Sequence, residues 1–288
     1  MRLRDFNPAN IRVEDQRGMR FPGGGGGKLG CGGIVLVLVA SLVFGVDPAQ
    51  MLGSLEQVQQ SAPAGQQAGG TTVSESCNTD ALSKESCAAL ASLNQTWAPL
   101  FKQANIPFQQ PKLVFYSQAG RSGCGAAQSA MGPFYCPSDQ GIYIDTDFYR
   151  ELEQRLGAGG DFARAYVMAH EYGHHVQTLT GVSDQVRSAQ SRNPSSANQL
   201  QVRMELQADC YAGVWAAKNA DLIEPGDIEE GLTAAHAIGD DTLMERAGQR
   251  PVEAAFTHGS SAQRMEWLRR GLETGNEDQC DTFADLGR

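Results

Sequence analysis

DFARAYVMAHEYGHHVQTLTG, Asp161 to Gly181, decides how this chain reads. Phe162, Ala165, Tyr166, Ala169, Gly173 and Val176 recur at three- and four-residue intervals, the period of an α-helix packed along one side. Asp161 is expected to cap this helix and Gly181 to end it. Within it His170, Glu171 and His174 form H-E-x-x-H. Positions i and i+4 share a helix face one turn apart, so both imidazoles can reach one Zn²⁺ at about 2.0 to 2.1 Å. Glu171 lies one residue round the helix, beside the open position where water would sit. His175 points about 100° away from His174, so it is expected to support the ligands from behind or to be partly exposed.

A metal needs a third protein ligand, and the next helical pattern offers one. From about Ser195 to Asn219 apolar residues repeat at Leu200, Met204, Ala208, Tyr211 and Trp215. This stretch contains E-L-Q-A-D, whose Glu205 stands 31 residues beyond His174, enough for a loop and an antiparallel return. Glu205 and Asp209 share a face at i, i+4. Glu205 is expected to reach the metal, and Asp209 to accept the N–H of a ligating histidine. Two acids on a solvated face are the plainer alternative, but these flank Met204, Ala208 and Ala212 on a face expected to be buried.

Working outward, Asp80 to Asn105 reads as a long helix with Leu82, Leu90, Leu93, Trp97, Leu100 and Phe101 apolar. Lys112 to Ser117 and Gly141 to Phe148 read as strands, with a disulfide-clamped loop between them. Beyond Phe148 the chain reads as helical almost to its end, with Asp227 to Ile238 as one helix. The last begins at Ser260, where Ser260 and Gln263 form a capping box. The fold class is therefore α+β, mainly helical with a small β-sheet. His236 reads as a structural histidine, and Tyr143 and Tyr211 as core residues with the alternative of lining a cleft.

Seven cysteines occur, one of them Cys31 in an apolar run, which leaves six. An even set suggests three disulfides and an oxidising compartment. Closeness in sequence favours Cys77 with Cys87 and Cys124 with Cys136, leaving Cys210 with Cys280. No C-x-x-C occurs, which argues against a thiolate zinc site or a thioredoxin-type centre.

The 288 residues carry a net charge of −10, with 41% hydrophobic and 19% charged residues. That composition excludes a wholly disordered chain and argues against nucleic-acid binding, which needs clustered Lys and Arg. Up to Val46 the balance is +3, so the remainder carries −13. Between the halves lies LGCGGIVLVLVASLVFGV, Leu29 to Val46, without a charge and about long enough to span a hydrocarbon core. The positive flank is N-terminal, so the positive-inside rule places residues 1–28, a basic Gly-rich tail, in the cytoplasm. Residues 29–46 are then a transmembrane helix in lipid contact with the cytoplasmic membrane, 47–76 a flexible linker, and 77–288 a domain outside. A cleaved signal peptide fits less well, because the leading region is long and no clean A-x-A site follows.

H-E-x-x-H followed by E-x-x-A-D resembles the gluzincin-type zinc metallopeptidases. The basic Gly-rich start, the apolar span, GPFYCPSDQGIYID, HEYGHHVQ, MELQADCYAGVW and THGSSAQRMEWLRRG together resemble a bacterial neutral zinc metallopeptidase family across nearly the whole chain. The resemblance implies a zincin-like domain with Zn²⁺ held by His170, His174 and Glu205, and Glu171 as catalytic base for peptide hydrolysis. It also suggests His258, in THGS, as an oxyanion stabiliser with Arg264 as its support. THGS departs from the usual HP form, and capping the last helix is an equal alternative.

The substrate implied is a peptide or protein, with the strand at Ile142 to Asp145 as the candidate edge for an extended substrate. The rival function is a membrane-tethered binding or adaptor protein with a structural zinc site. Glu171 argues against it, because a closed structural site has no use for a carboxylate beside an open position. A disulfide-stapled envelope protein without metal is the further rival, separated by zinc content.

Overall fold

Clustered β-branched and aromatic residues define the sheet, in a computed structural model that describes residues 1–19 and 71–284. In chain order the strands are β1 (Arg12–Asp15), β2 (Lys112–Tyr116), β3 (Ala119–Ser122), β4 (Gly125–Gln128), β5 (Phe134–Cys136) and β6 (Gly141–Asp145). Four of them form one sheet in the order β1-β2-β6-β5, while β3 and β4 make a separate antiparallel hairpin. β1 and β6 both run parallel to β2, and β5 runs antiparallel to β6. The two central strands are buried along Leu113 to Tyr116 and Ile142 to Ile144, as expected of strands covered on both faces.

The helices are α1 (Val73–Cys77), α2 (Ala81–Gln103), α3 (Asp147–Gln154), α4 (Asp161–Leu179), α5 (Val182–Arg192), α6 (Ala197–Lys218), α7 (Asp227–Ala237), α8 (Asp240–Arg246) and α9 (Ser261–Thr274). The described residues are thus mainly helical with small sheets, an α+β fold. α4 lies at the centre, against α2, α6 and α7, and α6 packs in turn against α9. The α6–α9 approach depends on glycine: a Cβ on Gly271 would stand 2.0 Å from the carbonyl oxygen of Cys210. The Ser260–Gln263 capping box forms at the start of α9. Asp161 does not cap α4. Gly160 holds the cap position and Asp161 begins the helix, where its carboxylate meets the positive end of the helix dipole.

Three disulfides join Cys77 to Cys87, Cys124 to Cys136 and Cys210 to Cys280, with Cα separations of 5.9, 5.8 and 5.5 Å. All three pairings agree with the sequence reading and suit an oxidising, extracytoplasmic compartment. The stretch between the two expected strands holds more structure than a loop, because the hairpin β3–β4 and the strand β5 lie within it. Ile142 to Asp145 is not an edge. β6 is bonded to β2 on one side and to β5 on the other, so its main chain has no free row of donors and acceptors for a substrate.

The amino-terminal segment corrects the expected domain layout. Residues 1–19 are not a flexible tail: β1 pairs with β2 along Arg12 to Asp15, and Ile11 is buried. Arg17 lies over the Phe115 ring at 4.6 Å and pairs with Asp15. The Met1 amino group reaches Asp161 at 2.6 Å and Asp227 at 2.9 Å, at the starts of α4 and α7. Val73 already belongs to a helix, capped by Thr72, so the end of the expected linker is folded too. Leu29 to Val46 and residues 47–70 of the linker lie outside the described residues. Among the described residues no helix is long and apolar enough to cross a membrane.

A single crossing between residues 19 and 71 would put β1 and β2 on opposite faces of the bilayer, which their hydrogen bonding forbids. The pairing of β1 with β2 therefore places residues 1–19 with the domain, which corrects the expected cytoplasmic N-terminus and leaves the domain's extracytoplasmic placement as the disulfides suggest it. Cysteines introduced at the exposed positions Ala9 and Ser195 should react with a membrane-impermeant maleimide from the same side of sealed vesicles. Labelling from opposite sides would show that β1 is not part of the sheet in the cell.

Candidate metal centre

Two helices supply the centre, and a glycine lets them close. A Cβ on Gly173 would stand 2.8 Å from the Cα of Ala208, so the second variable letter of H-E-Y-G-H is where α4 touches α6. The touch brings Glu205 beneath the two histidines. His170 Nε2 lies 3.1 Å and His174 Nε2 3.4 Å from the same oxygen, Oε2 of Glu205. The ligand-capable atoms of His170, His174 and Glu205 all lie within 4.8 Å of one another. Donors bound tetrahedrally to zinc at 2.0 to 2.2 Å stand about 3.3 to 3.6 Å apart, so the three side chains present fit that ion.

The far side of each donor is engaged. His170 Nδ1–H donates to Asp209 Oδ1 at 2.7 Å, which leaves Nε2 as its free lone pair. His174 Nδ1 contacts Gln177 Oε1 at 2.9 Å. Gln201, one turn before Glu205 on α6, donates to Oε1 of Glu205 at 2.8 Å. Burial opposes ionisation of Glu205, yet the charges and hydrogen bonds of His174 and His170 hold its carboxyl well below the usual range. Burial likewise opposes charging of His174, but Glu205 outweighs it and raises the imidazole to about 9. The site is electrostatically built to favour positive charge.

Asp209 is fully buried and held by Arg264, whose Nε and Nη2 donate to its two oxygens at 2.9 Å each. Tyr166 donates to Asp209 at 2.6 Å, and Arg264 also reaches the carbonyl of Ile238 at 3.3 Å. Despite its burial, Asp209 is lowered to about 2 by Arg264 and His170. Arg264 therefore supports the His170–Asp209 pair and not His258, a correction to the expected pairing.

His258 is supported by Asp240. The backbone N–H groups of Thr257, His258 and Gly259 donate to Asp240 Oδ2 at 2.7, 2.7 and 3.1 Å. His258 Nδ1 lies 3.3 Å from the other carboxylate oxygen. One buried aspartate thus shapes the THGS turn and leaves the imidazole partly exposed. Partial burial opposes its charging, but Asp240, with a contribution from Glu205, raises it above the ordinary histidine value.

Glu171 is mostly buried beside the donors and makes no hydrogen bond among the described residues that would hold its carboxylate away from water. Burial raises it above the ordinary glutamate value, with His170 and His174 pulling the other way. His175 is fully buried and outside the donor set. Its Nε2–H donates to the Gln109 carbonyl at 2.7 Å and its Nδ1 accepts from Tyr135 at 3.0 Å, tying α4 to β5. Burial lowers it to about 4, so it stays neutral. His236 is exposed on α7 and not a satisfied core histidine. Tyr211 packs edge-on against Trp97, and Tyr143 stacks on Phe134, so both belong to the core.

Asp240, Gln177 and Gln201 are not singled out by the sequence, and Tyr166 reads there only as part of the packed helix face, not as a partner of Asp209. Helical spacing could have found Gln177 and Gln201, which stand one turn from His174 and Glu205. Nothing local marks Asp240. A cavity of about 460 Å³ lies elsewhere, between the amino-terminal segment, α2 and α4, and none of the centre's residues line it.

A sequence model of the family described as "Putative neutral zinc metallopeptidase" matches residues 1–283. The chain is similar to "Uncharacterized protein YpfJ" of Escherichia coli (strain K12), 45% identical over 270 residues covering 93% of this chain and 90% of that protein. It is also similar to "Uncharacterized protein Rv2575" of Mycobacterium tuberculosis (strain ATCC 25618 / H37Rv), 40% identical over 269 residues covering 86% and 87%. No solved structure matches the chain.

Proposed function

Because the chain belongs to the neutral zinc metallopeptidase family, we propose that it is a zinc-dependent endopeptidase with a zincin-like arrangement of α4 and α6. The observation that carries this reading is the convergence of His170, His174 and Glu205 with an unengaged, mostly buried carboxylate, Glu171, at their side. His170, His174 and Glu205 would hold the ion. Zinc in such a site supplies positive charge that polarises a carbonyl and acidifies water.

Glu171 accepts a proton from the attacking water and delivers it to the leaving nitrogen, so that water's oxygen joins the carbonyl carbon as the C–N bond breaks. Its raised proton affinity suits both halves of the task. His258, whose Nδ1 faces Asp240, would serve through its other ring nitrogen as a donor to charge developing on the carbonyl oxygen. Arg264 and Asp209 hold His170 in the tautomer whose Nε2 lone pair faces Glu205.

The substrate is a peptide or protein. β5 is the edge of the sheet on the α4 side, joined to it through Tyr135 and His175, and is the strand along which an extended chain would lie. Lipid contact through Leu29 to Val46 remains part of the proposal, with residues 1–19 and the domain on one face of the membrane, outside the cytoplasm as the disulfides favour.

Zinc stoichiometry tests the reading. Purified wild type should hold about one zinc per chain, and His174→Ala should lose most of it. Protons and metal compete for His174, so zinc affinity in a competition titration should rise with pH toward the metal-free value near 9 and fall on acidification. Unchanged zinc in His174→Ala, or pH-independent affinity, would overturn the assignment.

A further inference from the structure

Gln177 sits at the bottom of α4, fully buried, three residues beyond His174. A buried primary amide has four hydrogen-bonding sites to satisfy, and burying it unsatisfied is costly. Its NH₂ end is committed to α6, donating to the Met204 carbonyl at 2.7 Å and to Gln207 Oε1 at 3.1 Å. Both acceptors are oxygens, so the amide cannot flip without setting an oxygen against an oxygen. The carbonyl end must then face His174, where it stands 2.9 Å from Nδ1. An acceptor at Nδ1 requires the proton there, and it leaves Nε2 with its lone pair toward Glu205.

The chain of bonds has a firm end. Gln207, which receives one Gln177 proton, donates through its own amide to the Cys280 carbonyl at 3.0 Å. Cys280 is joined to Cys210, on the same helix as Gln207 and three residues along it. The Gln207 amide is therefore oriented by a covalently tethered acceptor, and it orients Gln177 in turn.

We propose that Gln177 is the positioning residue for the second zinc ligand, fixing the His174 tautomer and ring plane through an amide whose orientation is set by Met204 and Gln207. This rests on the assignment of His174 as a ligand made above. It assigns to α6 a second role in the centre: besides supplying Glu205 it holds His174 through Gln177, as it holds His170 through Asp209. A histidine free to exchange tautomers presents its lone pair only part of the time, and loss of such an outer partner typically weakens metal affinity about 10- to 100-fold.

The test compares wild type, Gln177→Met and Gln207→Met. Gln177→Met keeps length and apolar volume but removes both amide functions. Gln207→Met leaves Gln177 in place and removes only its anchor. Zinc affinity is read by competition with a chromophoric chelator. The His174 ring is read by long-range proton–nitrogen correlation in the zinc-loaded protein, where wild type should show a slowly exchanging Nδ1–H.

Gln177→Met should bind zinc about 10- to 100-fold more weakly and lose the slow exchange at that proton. Gln207→Met should show a smaller loss in the same direction. The double variant should be no weaker than Gln177→Met alone, since the two act in series. Should Gln177→Met fail to fold, Gln207→Met carries the same comparison. Wild-type affinity and a protected Nδ1–H in Gln177→Met would overturn the proposal while leaving the ligand assignment intact. Absence of zinc binding in wild type would overturn both, and is distinguished by the wild-type titration alone.

Discussion

Replacing Glu171 with glutamine should cut peptide hydrolysis by about 10² to 10⁴-fold, the typical contribution of a positioned general base, while leaving zinc content and melting close to wild type. Both halves follow from position. Glu171 lies beside the His170–His174–Glu205 cluster but is not a member of it, so the donors are untouched. Among the described residues its carboxylate holds no other group in place, so a neutral amide of the same shape should disturb little. Glutamine cannot accept and hand on a proton, and that capacity is all the substitution removes. Burial should also make glutamine easier to accommodate than the ionised carboxylate. The assay is cleavage of unstructured proteins and mixed peptide libraries by the zinc-loaded full chain, with zinc measured on the same samples. Equal rates for wild type and Glu171→Gln would refute the base assignment whatever the metal content.

The second large effect concerns stability. Arg264→Met should destabilise the protein by about 3 to 5 kcal/mol, the usual result of removing one member of a buried ion pair. For a chain of this size that corresponds to a melting shift of roughly 6 to 20 °C. Arg264 is 3% exposed and Asp209 fully buried, and the guanidinium meets both carboxylate oxygens, so solvent screens little of the interaction. Without Arg264, Asp209 must keep its charge against His170 and Tyr166 alone. His170 is then pulled toward its protonated form, and zinc affinity should fall as well.

A double variant, Asp209→Leu with Arg264→Met, separates the two roles. It removes both charges and should recover much of the lost stability. It should not recover zinc affinity, because His170 would still lack its acceptor, a loss typically of about 10- to 100-fold. Thermal melting of metal-free protein and chelator competition give the two readouts independently. If Arg264→Met melts as wild type does, the buried network is not what holds α4, α6 and α9 together at the centre.

Much of the centre was legible because helices make local sequence into geometry. His170 and His174 share a face by their spacing alone, and so do Glu205 and Asp209. The capping box at Ser260 and Gln263 and the disulfide pairings are also short-range or countable features, and the structure carries all of them. The sheet was legible where strands are buried and apolar. It was not legible at β1, whose residues Arg-Val-Glu-Asp contain one apolar side chain and show no alternation. Four such residues in an Arg-rich segment read as a tail. Only their pairing with β2, and Arg17 lying over Phe115, makes them a strand.

By itself, then, the amino-acid order determined which residues could act together within one helix, that two helices offer His170, His174 and Glu205 as candidate metal ligands with Glu171 beside them, and which cysteines could join. Tertiary structure alone decided the partnerships between elements. Arg264 stands 55 residues beyond Asp209 and only six beyond His258, yet α9 packs on α6 so that its guanidinium meets the aspartate, while Asp240 takes His258. Tertiary structure likewise put β6 inside the sheet, made β5 its edge and joined residues 1–19 to the domain through β1. The physical reason is range: helical periodicity acts over one turn and is written in neighbouring letters. A buried ion pair or a strand pairing is chosen by which surfaces meet when the whole chain closes, and no local pattern records that choice.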